Sequence, residues 1–368
     1  MANFLEPLLH DLAERFRFLD EELARTQVPP EAEPCRQQIG RLVSQGKTRI
    51  ESVLADPDIG KPHFAKNFYH TFKRLSELAQ LVEEGPLFAL SRFRLEDRFL
   101  TRVVGAVCQE AGFRDPAPIC AAMSSQYYFS MPGMDLILVP HTEATHLLAW
   151  PDLYHELGHF ILARDPARLL QPLRKHVSKH FAGAVQNATR QGWAVNAIEE
   201  LDAYRRLWLG DWILEFACDW FATFAVGSSF AWANLRLCAR MSTDLFGISS
   251  SHPADAARTQ AVIEMLKLIS GDASTHEIES RWQELLTAVG AKEPQQYRTA
   301  YPPRLICELA DEANQLFRSS GFHSYNPGSM PVGDLLVEAW NYFRSDPSSF
   351  PTWERAKLQG LQKAFKLI

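Results

Sequence analysis

Two histidines four residues apart, with a glutamate beside the first, stand at His155-Glu156-Leu157-Gly158-His159. On a helix this spacing puts both imidazoles on one face, about 5–6 Å apart at Cβ. Two imidazole nitrogens at about 2.0–2.1 Å from one zinc ion (Zn²⁺) fit that separation. Glu156 projects from the same turn, where its carboxylate can take a proton from water at the ion's open position. Such a pattern also arises by chance in a chain with 12 histidines among 368 residues, so its surroundings decide. Trp150-Pro151-Asp152 marks a helix start: Pro suits the first turn, and Asp152 favours the positive helix end. Leu153, Leu157, Phe160 and Ile161 follow at helical spacing. Gly158 costs about 1 kcal/mol relative to Ala inside a helix, and its small size lets another backbone or the metal shell approach.

A third ligand should follow downstream. Glu215-Phe216-Ala217-Cys218-Asp219 carries two acids four apart, so both carboxylates leave a second helix on one side. That helix, expected over 210–235, is otherwise very apolar, with Trp212, Ile213, Leu214, Phe216, Trp220, Phe221 and Phe224. Burying two acids there is expensive unless they are paired or bind a metal. Glu215 is the expected zinc ligand. Asp219, one turn on, is expected to accept the N–H of a ligand histidine and fix its tautomer. Glu199, Glu200 and Asp202 are rivals in a more ordinary solvated run.

Together, His155-Glu156-x-x-His159 and Glu215-x-x-x-Asp219 resemble the gluzincin metallopeptidases, the group that includes thermolysin. A later segment, Ser250-Ser251-His252-Pro253-Ala254-Asp255-Ala256-Ala257-Arg258, is similar to the S/T-H-P…R element of M48-type peptidases, without that family's flanking membrane helices. The resemblance covers roughly residues 134–268. It implies a zincin-like core in which His155, His159 and Glu215 hold Zn²⁺ and Glu156 is the general base. The implied reaction is peptide-bond hydrolysis by a metal-activated water. Strand 134–139 would run along the cleft edge and pair with an extended peptide or protein substrate. His252 would donate to the developing oxyanion, and Arg258 would brace the segment through an acidic partner. The bland reading of His252 is a helix start, since Ser251 and Asp255 suit an N-terminus. Two other functions stay open: a catalytically inactive, zinc-stabilised helical scaffold, and a zinc hydrolase of a non-peptide amide or ester.

The composition fits a globular protein, 46% apolar and 22% charged. A net charge of −6 argues against a nucleic-acid binder. Arg164, Arg168, Arg174, Lys175 and Lys179 read as a solvated helix face. His176 and His180 are also four apart, but no carboxylate follows closely and lysines flank them, so they too read as surface. The six cysteines are scattered with no C-x-x-C, which reads as free buried thiols in a reducing cytoplasm. The N-terminus has no basic region before its apolar residues, so no signal peptide is expected. The most apolar stretch contains Glu215 and Asp219, which suits a buried helix better than an integral membrane segment.

Helices are expected at 2–27, 34–54, 64–84 and 92–111, then at 150–163, 166–190, 196–209, 210–235, 254–270, 276–289, 302–319, 331–344 and 351–366, with one or two strands in 124–140. The fold class is therefore α+β, predominantly α-helical. Three regions are expected: N-terminal helices over 1–115, a zincin-like metallopeptidase core over 116–270, and C-terminal helices over 271–368.

Overall fold

The computed structural model describes residues 2–59, 61, 65–124, 127–241 and 244–366; residue 64, at the start of the third expected helix, lies outside them. The fold is α+β, predominantly helical with one small sheet. Strands β1 (Ile119–Ser124), β2 (Phe129–Met131) and β3 (Leu136–Pro140) lie in the order β1-β3-β2. β1 runs parallel to β3, with Ile119 opposite Leu136 and Ala121 opposite Leu138. The central place of β3 corrects the expectation of a cleft-edge strand over 134–139. Its backbone is paired on both sides, Met134 belongs to a 3₁₀ turn, and β2 holds the edge. β1 begins ahead of the 124–140 window, because Ile119-Cys120-Ala121 is buried and shows no alternation to read.

By contacts the chain divides into two compact units. The first comprises Met1–Arg102, Pro116–Tyr127 and Met131–His141; the second comprises Val103–Asp115, Tyr128–Ser130 and Thr142–Ile368. The first unit contains α1 (Ala2–Arg25), α2 (Glu33–Leu54), α3 (Ala65–Val82) and α4 (Phe88–Ser91), and α5 (Leu95–Glu110) begins in it. Leu12, Phe16 and Leu19 of α1 recur at helical spacing and pack with Ile39, Val43 and Ala79.

The second unit holds α6 (Pro151–Arg164), α7 (Pro166–Arg190), α8 (Val195–Leu207), α9 (Ile213–Val226), α10 (Ser228–Met241) and α11 (Asp255–Ser270). It continues with α12 (Asp272–Ala288), α13 (Gln295–Ala300), α14 (Pro303–Ser319), α15 (Pro331–Ser345) and α16 (Phe350–Ala364). The single helix expected over 210–235 is broken: a π-helical turn (Trp208–Trp212) precedes α9, and α10 follows it as a separate helix. Gly227, at φ +63°, ends α9, and a Cβ there would also meet the Tyr325 ring at 2.9 Å. α9 is buried on nearly every side and packs against α6, α11 and α14, as its all-round apolar sequence requires. No helix among the described residues is long and apolar enough to cross a membrane.

Candidate metal and catalytic centre

The centre forms where α6 lies against α9 in the second unit. Gly158 sets how close they come. A Cβ at this position would stand 2.9 Å from Cys218 Cα, 3.1 Å from its Cβ and 3.2 Å from its Sγ. The glycine of the His-Glu-x-x-His segment is therefore the place where the backbone and side chain of Cys218 enter.

This approach brings the paired histidines of α6 onto the paired acids of α9. Asp219 Oδ1 lies 2.8 Å from His155 Nδ1. The same carboxylate accepts two hydrogen bonds from Arg258, Nε to Oδ2 and Nη2 to Oδ1, both 2.7 Å. Asp219 has no exposed surface, and these partners offset what would otherwise be an isolated buried charge. With Nδ1 engaged, Nε2 of His155 faces Glu215, 3.5 Å from Oε2, and His159 Nε2 stands 3.7 Å from Oε1. Two donors each about 2.0–2.2 Å from one tetrahedral ion stand roughly 3.3–3.6 Å apart; each imidazole reaches a different Glu215 oxygen at close to that spacing. Donor atoms of His155, His159 and Cys218 also lie within 4.8 Å of one another. Two imidazoles and a thiol thus converge, a set that can hold a metal ion, and the Glu215 carboxylate faces both imidazoles. Sequence reasoning missed Cys218, which reads as one more apolar residue on α9.

Burial and charge pull the groups apart in protonation. Burial alone would discharge His155, but Asp219 and Glu215 outweigh it and raise its pKa to about 10. His159 is drawn down to about 4, first by burial and then by the neighbouring His155. Burial opposes the charge on Glu215, yet His155, Arg258 and His159 hold its carboxyl well below the usual range. Glu156 moves the other way. Burial pushes it up to about 7, against the pull of His155 and a hydrogen bond from Ser130. A carboxyl near 7 is suited to taking and returning a proton at neutral pH. Ser130, on β2, was not singled out from the sequence, where nothing links it to α6.

Phe230, on α10, stacks near the His155 ring at 6.3 Å between centroids and 13° between planes. His252 stands on the exposed rim, with Nε2 4.0 Å from Glu215 Oε2 and Nδ1 3.0 Å from Ser251 Oγ. The α11 N-cap is Ala254, which makes no side-chain cap bond; its N–H donates to the Tyr301 hydroxyl at 3.0 Å. Neither Ser251 nor His252 starts that helix. The rival acids stay on α8 in local pairs: Glu200 accepts from the Tyr204 hydroxyl, and Asp202 pairs with Arg205 and Arg206. Five cysteines are buried, whereas Cys307 is exposed, which corrects the expectation that all are buried. No family model matches the chain, and neither does any curated protein or solved structure.

Proposed function

We propose that this centre binds Zn²⁺ and hydrolyses peptide bonds, as a gluzincin-like metallopeptidase with a zincin-like core. The observation that carries the reading is the Glu215 carboxylate set between Nε2 of His155 and Nε2 of His159, with Glu156 buried on the same turn. His155, His159 and Glu215 would hold the ion. When bound, it acts as a Lewis acid on a carbonyl oxygen and on water. Glu156 removes the proton of the attacking water and returns it to the leaving amine. Ser130 holds the Glu156 carboxyl in place through its hydrogen bond. His252, exposed on the rim near Glu215, donates to the oxyanion of the tetrahedral intermediate. Asp219 fixes the His155 tautomer, and Arg258 keeps the fully buried Asp219 ionised. The free edge of β2, which carries Ser130, receives the extended peptide. We place the activity in the cytoplasm, because scattered cysteines without paired spacing suit a reducing compartment.

Cys218 favours a second reading, a closed structural centre in which the thiol fills the fourth position. Metal analysis and a peptide-library cleavage assay, with and without chelator, separate the two. The peptidase reading expects cleavage that chelator abolishes and zinc restores, with metal lost in Glu215→Ala and retained in Cys218→Ala. Stoichiometric zinc without cleavage, lost in Cys218→Ala, would establish the closed centre.

A further inference from the structure

Where α7 turns into α8, Trp193 is 49% exposed and Val195 71%. From Gln186 to Glu199 only Ala188 is buried, so this turn stands clear of the core of the second unit. Its backbone is nonetheless fixed. Gly192, at φ +71°, closes α7: its N–H donates to the Thr189 carbonyl at 3.1 Å, and the Trp193 N–H donates to the Ala188 carbonyl at 3.0 Å. The Trp193 indole N–H donates to Gln191 Oε1 at 3.1 Å, which holds the ring at the surface. We propose that this turn is the interface of a symmetric dimer, in which Trp193 and Val195 pack against the same residues of a second copy of this chain.

Charge placement points to a second copy. Arg190 stands in the last turn of α7, and Glu199 lies one turn beyond Val195 on α8. Both are exposed, and neither makes an ion pair with a described residue. The neighbouring acids are occupied: Glu200 accepts from the Tyr204 hydroxyl, and Asp202 pairs with Arg205 and Arg206. Among the described residues, the turn thus has an unpaired cation on one helix, an unpaired anion on the other and apolar surface between them. Such a patch is its own complement. A two-fold axis through the turn reverses the order, so Arg190 of each copy meets Glu199 of the other while the apolar residues meet at the centre. A nucleic acid or an anionic membrane would select cations alone. Trp193 supplies the aromatic anchor that central interface positions favour. The fixed turn keeps the ordering cost of association small.

Sedimentation equilibrium of the full chain over a range of concentrations tests this independently of metal and activity. Wild type should show two copies in reversible exchange with one. Trp193→Ser combined with Val195→Ser should weaken association at least about thirtyfold, the loss expected when a central aromatic anchor goes. Arg190→Glu and Glu199→Arg should each weaken it, and the two together should restore it, because the reversed charges complement one another again. All these positions are exposed, so each variant should keep the circular dichroism of wild type. Unchanged association in the Trp193/Val195 variant, or no recovery in the charge-reversed double variant, would overturn the proposal. A single copy at every concentration would also overturn it. Flotation of that single copy with phosphatidylserine vesicles, lost in the Trp193/Val195 variant, would assign the turn to a membrane surface instead.

Discussion

Two helix pairs in the second unit repeat one arrangement. On α6 and α9, His155 and His159 meet Glu215, and His155 also meets Asp219; on α7 and α14, His176 meets Glu308 and Glu312, with His180 one turn on in the same groove. Each pair also has an arginine on one acid, Arg258 on Asp219 and Arg304 on Glu308. They differ in what surrounds the donors. His155, Glu156, Glu215 and Asp219 are buried, whereas the second four stand half-open to solvent. The residue after the first histidine is Glu156 in one pair and the core residue Val177 in the other. Where Gly158 admits α9, the second pair has exposed Lys179. Similar side-chain types therefore face one another at both places, while a buried carboxyl with a raised pKa stands beside only the first. Recurring ligand spacing is a property of helices. Reactivity needs water removed from the charges and a proton acceptor held beside them.

The sharpest way to break this comparison is Glu156→Gln. It keeps the side-chain shape and removes the base, so turnover should fall roughly 10²–10⁴-fold while metal content holds. Peptide cleavage at wild-type rate would remove Glu156 as the base, and with it the difference drawn between the two helix pairs.

Next comes Arg258→Met. It strips the fully buried Asp219 of two hydrogen bonds and its countercharge. Breaking a buried pair from one side costs about 3–5 kcal/mol, which urea unfolding would read as lowered stability. Arg304→Met removes a solvated partner and should leave the unfolding midpoint where it was. Matching losses in the two variants would show that burial is not what separates the pairs.

Asp219→Asn should weaken metal binding at the first centre by about 10–100-fold, since an amide orients His155 less well and adds no charge. Titration of stripped protein measures this. An unchanged affinity means that His155 does not depend on Asp219 for its orientation.

The smallest expected effect is at Gly158. Ala in a helix interior gains about 1 kcal/mol over Gly, but overpacking against Cys218 costs about 1–3 kcal/mol. Gly158→Ala should therefore lose up to about 2 kcal/mol. Cys218→Ala should rescue only part of that, because Cys218 Cα, at 2.9 Å, remains. A stabilised Gly158→Ala would mean that α6 and α9 yield easily.

Local chemistry was legible in the residues themselves. Helical periodicity acts over one turn, so the pairs 155/159, 215/219 and 176/180 could be placed on faces of their helices before any fold was known. The need to compensate two acids on the apolar Ile213–Val226 stretch was equally local, since burying charge is costly wherever the helix lies. Helix starts at Pro151, Pro166, Pro303 and Pro331 follow from a ring that presets φ. The split at Gly227 was less legible, because a glycine in an apolar run marks a helix end only when the chain adopts positive φ there.

Tertiary structure decided which faces meet. Nothing near His176 announces Glu308 and Glu312, which lie more than 130 residues away on another helix. Nothing near Glu156 announces Ser130, and Cys218 gains its place only because Gly158 lies opposite. The division into units is likewise discontinuous, with three stretches of chain in each and no linker to mark it. Periodicity and propensity are sums over neighbours in sequence. Helix packing, sheet order and the burial that moves Glu156 to about 7 arise from residues distant in the chain, whose pairing is settled when the whole core closes.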